Sequence, residues 1–170
     1  MPDSAFNHQY GSYEYEAIKE AFRSRGYVLY SDERPYGTDP DQYSWLIAKQ
    51  VDSLLKEGIA PESISVVGSG KGALITMLTS AHIRTNEVKY VVLSGCNELV
   101  AQYFHIELFG TILSVHEKTD EFWVSCDAIK EASKDVYKYK EVELNTGLKN
   151  GYLYKPMEEW LTLVYEWVEM

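Results

Sequence analysis

The chain has 170 residues, enough for one domain around a single core and too few for two of ordinary size. A 45% hydrophobic and 14% aromatic content excludes a disordered polymer, and no apolar run approaches the ~18 residues a membrane-spanning helix requires. The formal net charge of −10 disfavours nucleic acid and anionic membranes as partners, since both select basic patches.

Helical and strand patterns alternate from end to end. Residues 13 to 23 set Ile18, Ala21 and Phe22 on one side of a charged segment, which predicts a surface helix stopped by Gly26. Residues 27 to 33 read as a strand. After the turn-rich stretch 34 to 41, Tyr43, Leu46, Ile47, Ala48, Val51, Leu54 and Leu55 recur at helical spacing up to Gly58. Ile64 to Val67 form a short apolar run of the kind buried parallel strands show, and Ala73 to Ser80 continue as a helix packed behind it. Residues 88 to 94, 111 to 116 and 140 to 145 repeat the strand pattern, with helical candidates at 97 to 105 and 121 to 136. A last helix carries Trp160, Leu161, Val164, Trp167 and Val168 on one face. Strand after helix after strand predicts a three-layer α/β sandwich, a mainly parallel sheet covered on both faces, as one domain over residues 1–170.

Cys96 and Cys126 share neither a metal-like nor a redox spacing. No charged-then-apolar leader opens the sequence, so a cytoplasmic setting is expected, with both thiols reduced and acting as small buried hydrophobes. His8, His82 and His105 show no spacing that suggests metal ligands, and neither metal nor cofactor is expected.

The segment Ile64 to Leu78 holds a glycine-rich turn between a predicted strand and helix. A P-loop fails here: the residue five before Gly70 is Ser65, and Lys71 is followed by Gly72. Gly68, Gly70 and Ala73 satisfy the dinucleotide fingerprint in form, but the next strand ends Leu93-Ser94-Gly95-Cys96 and the nearest acid, Glu98, lies beyond it. The frame Gly68-Ser69-Gly70-Lys71-Gly72 fits a nucleophile elbow, Gly-x-Ser-x-Gly, whose middle residue is lifted above the sheet by a strained turn. That middle residue is Gly70, which has nothing to attack with.

The run Val67-Gly68-Ser69-Gly70-Lys71-Gly72-Ala73 resembles the Val-Gly-Ala-Ser-Lys-Gly-Ala elbow of a family of small bacterial α/β-hydrolase-fold proteins. The resemblance extends to residues 13–18, 34–38, 93–96, 119–122 and 146–154, and so covers nearly the whole chain. It implies an abbreviated α/β-hydrolase fold, with the nucleophile at position 70, the acid at 120 and the histidine at 150. The chain supplies Gly70, Asp120 and Asn150. An amide at 150 cannot accept and return a proton near neutrality, so a Ser-His-Asp relay would have neither attacker nor base. The family also implies an earlier strand and an oxyanion loop ahead of the first helix, where this chain has Pro2 to Tyr10. A gap between the strands at 27–33 and 64–68 is therefore expected. Those strands would either pair directly or take a strand from another chain, which makes self-association a possible role.

Ser69 precedes the elbow apex and should project differently from a nucleophile, although it is the obvious substitute. His116, closing a strand four residues before Asp120, is a candidate base, with a plain hydrogen-bonded edge histidine as its ordinary reading. Asp120 has the acid's position, but a lone carboxylate after a strand is more often a helix N-cap than a catalytic group. The fourteen tyrosines and four tryptophans fit helix-to-sheet packing with polar tips at the surface, and Lys71 a solvated side chain. The expectation is a non-catalytic hydrolase relative that binds a small molecule or a partner. The alternative is a serine hydrolase or esterase acting on small acyl substrates through Ser69 or an unidentified nucleophile.

Overall fold

The computed structural model describes residues 6–170. Whatever precedes Phe6 in the expected replacement of an early strand by Pro2 to Tyr10 lies outside the described residues. From Phe6 the chain makes a two-residue hairpin, β1 (Phe6–Asn7) and β2 (Gly11–Ser12), and enters α1 (Tyr15–Ser24). Helix α2 (Pro40–Lys56) begins where physical chemistry favours it: the Asp39 carboxylate accepts the Gln42 N–H at 3.0 Å, and Pro40 occupies a first-turn position that needs no N–H. Then follow β3 (Ser65–Ser69), α3 (Lys71–Ile83), β4 (Lys89–Leu93), α4 (Glu98–Phe104), β5 (Gly110–Glu117), α5 (Asp127–Ala132), β6 (Val136–Leu144), a 3-10 turn over Lys149–Tyr154, and α6 (Glu158–Val168).

The four longer strands form one parallel sheet in the order β3-β4-β5-β6, in register Val67↔Val91, Val91↔Leu113 and Val115↔Val142. Every residue of β4 and β5 is buried, as expected of central parallel strands covered on both faces. On one face Met77 and Leu78 of α3, Val51 of α2, Val100 of α4 and Ile129 of α5 pack on Tyr90, Val92 and Ile112. On the other, Trp160, Leu161, Val164 and Trp167 of α6, flanked by Ile18 and Phe22 of α1, pack on Val91, Leu93, Leu113 and Val115. This is the predicted α/β sandwich.

Three expectations are corrected. Residues 27–33 are not a strand: a strand needs a neighbour to complete its ladder, and a groove of about 630 Å³ separates this segment from β3. Val28 and Tyr30 are accordingly 82% and 59% exposed. The helix expected over 121–136 is confined to Asp127–Ala132. The Asp120 carboxylate takes the N–H groups of Phe122 and Trp123, and that of Glu141 takes the Cys126 N–H and the Ser125 hydroxyl, so side chains compete with helical bonding before residue 127. Third, Cys96 and Cys126 are not free thiols but a disulfide, with Cα atoms 5.2 Å apart. The Val124 N–H bonds the Cys96 carbonyl at 2.9 Å and draws the two loops together across 30 residues, a contact no local spacing reveals.

Candidate functional site

The turn from β3 into α3 is an elbow built around Gly70. Its φ of +54° and ψ of −119° lie in a region that costs a residue with a side chain about 1–3 kcal/mol. Glycine adopts it freely. The Gly70 N–H donates to the Leu93 carbonyl at 3.0 Å and its carbonyl accepts the Leu74 N–H at 3.2 Å, fixing the turn between sheet and helix. At Gly68 a Cβ would lie 2.2 Å from the Gly72 carbonyl oxygen, so only glycine lets the strand and helix backbones approach this closely. Helix α3 has no side-chain cap, and its first three N–H groups have no intrahelical acceptor.

Above the elbow lies a cavity of about 230 Å³. Gly70 and Ser69 contribute from the elbow, Ser94 from the end of β4, and Trp123 from the loop before α5. Asn150, Leu153 and Tyr154 come from the 3-10 turn, and Tyr13 from the entry to α1. Trp123 stands over the apex, its Cζ2 3.9 Å from where a Cβ on Gly70 would be. The N-terminal hairpin braces the Asn150 turn: the Tyr10 ring lies directly on Gly151, where a Cβ would meet it at 2.3 Å, and the Glu14 N–H donates to the Tyr154 carbonyl at 2.8 Å. Tyr13 and Tyr154 stack edge to face at 5.7 Å.

Of the residues singled out in sequence, the structure brings Ser69, Gly70 and Asn150 to one cavity. Asp120 does not line it. Its Oδ1 accepts the N–H groups of Phe122 at 2.9 Å and Trp123 at 3.1 Å, so it caps the turn that presents Trp123 rather than the start of a helix. His116 is placed elsewhere: its Nε2 lies 3.3 Å from Glu143 Oε2 and its Nδ1 3.7 Å from Glu141 Oε1, on the sheet face it shares with Ile112. His82 bonds Ser44 through Nε2 at 2.9 Å under the ring of Trp45, His105 ends α4, and His8 packs on Phe6. No imidazole lines the cavity among the described residues. Ser69 shares the cavity lining with the Tyr13 phenol. Burial, with help from neighbouring Tyr15, raises the Tyr13 pKa, so this phenol stays protonated near neutrality and cannot serve Ser69 as a base.

Glu117 was not legible as part of the site. It ends β5 fully buried, and its carboxylate accepts the Thr119 hydroxyl and the N–H groups of Thr119 at 2.7 Å, Thr146 at 2.9 Å and Gly147 at 3.1 Å. Burial alone would raise its pKa, but these donors outweigh it and hold the carboxyl below the usual range. The Thr119 hydroxyl in turn accepts the Lys149 N–H at 3.2 Å. Glu117 thus stitches the Asp120 loop to the Asn150 loop. In sequence it is one acid among 26 acidic residues, with only its position at the end of an apolar strand to mark it. Tyr152 was missed as well: fully buried, it bonds Ser94 at 3.0 Å beneath the cavity, and burial raises its pKa.

The sequence matches no protein-family model and no curated protein. Solved structures do resemble it. A YdeN-like hydrolase from Pectobacterium atrosepticum superposes with a TM-score of 0.61 at 12% identity, over 93% of this chain and 85% of that one. SOBER1 from Arabidopsis thaliana gives 0.51 at 18% identity, over 76% of this chain. The fold is α/β-hydrolase-like. The match spans 63% of the SOBER1 chain, somewhat under two thirds, and identities this low speak to the fold alone. Among the described residues no group of three or more His, Cys, Asp or Glu side chains is placed to hold a metal ion, and no helix is long and apolar enough to cross a membrane.

Proposed function

We propose that this protein is a hydrolase relative that has given up catalysis and binds a small molecule in the cavity over Gly70. One observation carries the reading: the elbow geometry is retained, at φ +54° and ψ −119°, around a residue with no side chain. The surroundings support it. Position 150 contributes an amide, and the phenol that lines the cavity with Ser69 is protonated near neutrality. The cavity is smaller than the about 300–1,000 Å³ that drug-sized ligands occupy. Its rings, Tyr13, Trp123 and Tyr154, suit a small planar or acyl group, while the Ser69, Ser94 and Asn150 side chains and the uncapped amides of α3 offer hydrogen bonds to a carbonyl or hydroxyl.

The test is paired. Unmodified protein and Gly70→Ser/Asn150→His are assayed for nitrophenyl ester hydrolysis and fluorophosphonate labelling. The unmodified protein is expected to do neither, and turnover by it would overturn the proposal. Gain of activity in the double variant would show that the binding cavity survives without its chemistry. A second reading, hydrolysis by Ser69, rests on Ser69 lining the cavity. It requires unmodified protein to label with fluorophosphonate and Ser69→Ala to abolish the label.

A further inference from the structure

The groove that separates β3 from residues 27–34 is bounded by two stretches of backbone. Every residue from Ser63 to Ser69 lines one side and every residue from Tyr27 to Arg34 the other. Among the described residues β3 has β4 as its only strand partner, so one row of its N–H and C=O groups faces the groove without a ladder. The opposite wall belongs to no strand, yet side chains hold it off: the Tyr27 hydroxyl donates to Glu169 at 2.5 Å, and Ser31 bonds Tyr15. Ile18 and Phe22 of α1 cover the groove from one face of the sheet, and Ile47, Val51 and Leu54 of α2 from the other.

We propose that this groove takes an extended peptide segment of a partner protein, added to the sheet as a fifth strand beside β3. A lipid tail or a small ligand would fill the apolar space but would leave the β3 row unbonded. A strand satisfies that row and sends alternate side chains to the two apolar faces. Its length follows from β3, whose five residues span about 16 Å at the usual strand rise. Apolar cover on both faces selects an uninterrupted apolar core, like β4, rather than an alternating strand. This chain's other sheet edge does not qualify: β6 reads Val-Tyr-Lys-Tyr-Lys-Glu-Val-Glu-Leu and would bury four charges in the slot. Tyr13, Ser69 and Leu153 line both the groove and the cavity over Gly70, so the end of an added strand becomes part of the cavity wall. The strand-binding proposal does not depend on what the cavity holds.

The probe is the synthetic peptide Lys-Lys-Val-Ile-Val-Val-Ile-Lys-Lys, compared with the same peptide N-methylated at its two isoleucines, which keeps charge and side chains but removes two N–H donors. Hydrogen exchange is followed in fragments covering residues 64–70 and 111–117. The expected result is at least a tenfold slowing over 64–70 with the parent peptide, none with the methylated one, none over 111–117, and loss of the effect in Leu29→Arg, which places a charge in the groove. No slowing at millimolar peptide, equal slowing by both peptides, or unchanged slowing in Leu29→Arg overturns the proposal. So does slow exchange over 64–70 in the protein alone at every dilution. Protection that grows with protein concentration in the absence of peptide would assign the groove to a second copy of this chain, and would also overturn it.

Discussion

Replacing Glu117 by Gln tests whether one buried carboxylate organises the site. Oε1 of Glu117 accepts from Thr146 and Gly147, and Oε2 accepts from Thr119 through both its N–H and its hydroxyl. A glutamine keeps one oxygen and turns an NH2 toward the other pair, so two charge-assisted bonds are lost and donors meet donors. At ~1.5–3 kcal/mol for each of the two bonds to a charged acceptor, the loss is about 3–6 kcal/mol. For a chain of this size that lowers Tm by about 10 °C. Urea denaturation measures the free energy, and hydrogen exchange at Thr119, Thr146 and Gly147 locates it. Glu143, whose side chain is 54% exposed, provides the control, and Glu143→Gln should change stability by less than about 0.5 kcal/mol.

The same group gives a pH signature. Its folded pKa lies below the ordinary carboxyl value, so it adds stability that is present above the unfolded pKa and is lost as pH falls through the folded one. Glu117→Gln should flatten that acid limb. A Gln variant that loses less than about 1 kcal/mol, with its three amides still protected, would refute the idea that Glu117 holds the two loops together.

Gly70→Ala should cost about 1–2 kcal/mol in urea denaturation and leave the fold intact, because only the backbone conformation is penalised and Trp123 leaves room for a Cβ. Gly68→Ala should cost about 3 kcal/mol, since its Cβ meets the Gly72 carbonyl and the Thr76 hydroxyl rather than a movable side chain. Reducing Cys96–Cys126 should lower stability by about 3–4 kcal/mol, the loop-entropy value for a crosslink of this span, read as a shift of the urea midpoint with reductant. Burial lowers the His82 pKa, so His82 contributes stability above the unfolded value of about 6.5 that is lost as pH falls through the folded one. His82→Gln should remove that step, with stacked Trp45 fluorescence as the local readout.

The sheet and its helices were readable wherever burial imposes a period. The α2 stripe from Tyr43 to Leu55, the apolar β4 run and the α6 face are each dictated by what they pack against, and each lies within a residue or a few of its expected place. Residues 27–33 misled for the complementary reason. Tyr-Val-Leu-Tyr has strand propensity, but propensity describes a fit to a neighbour, and the neighbour on the β3 side is a groove. The loop 121–126 was misread as helix because one competing acceptor, Glu141, arrives from within β6, beside Asp120 from the loop after β5. Cys96 and Cys126 were misread because their approach is tertiary.

At the site, position 70 was legible because an elbow has a fixed frame and position 150 because the family resemblance implies it, whereas the roles of Tyr13, Trp123 and Glu117 depend on loops converging from separate strands. The elbow itself shows why its side chain can be dispensed with. Its shape is set by the Gly68–Gly72 approach and the Gly70 bond to Leu93, neither of which involves a residue-70 side chain. Removing that side chain relieves about 1–3 kcal/mol of backbone strain. Stability therefore favours Gly70 over any nucleophile there, and the folded chain gains nothing from restoring one. On the proposed reading, the ring-lined cavity over Gly70 holds a small-molecule ligand. A variant that fills it, such as Ser94→Phe, should abolish thermal stabilisation by any small molecule that stabilises the unmodified protein, and stabilisation that survives the filling would place binding elsewhere.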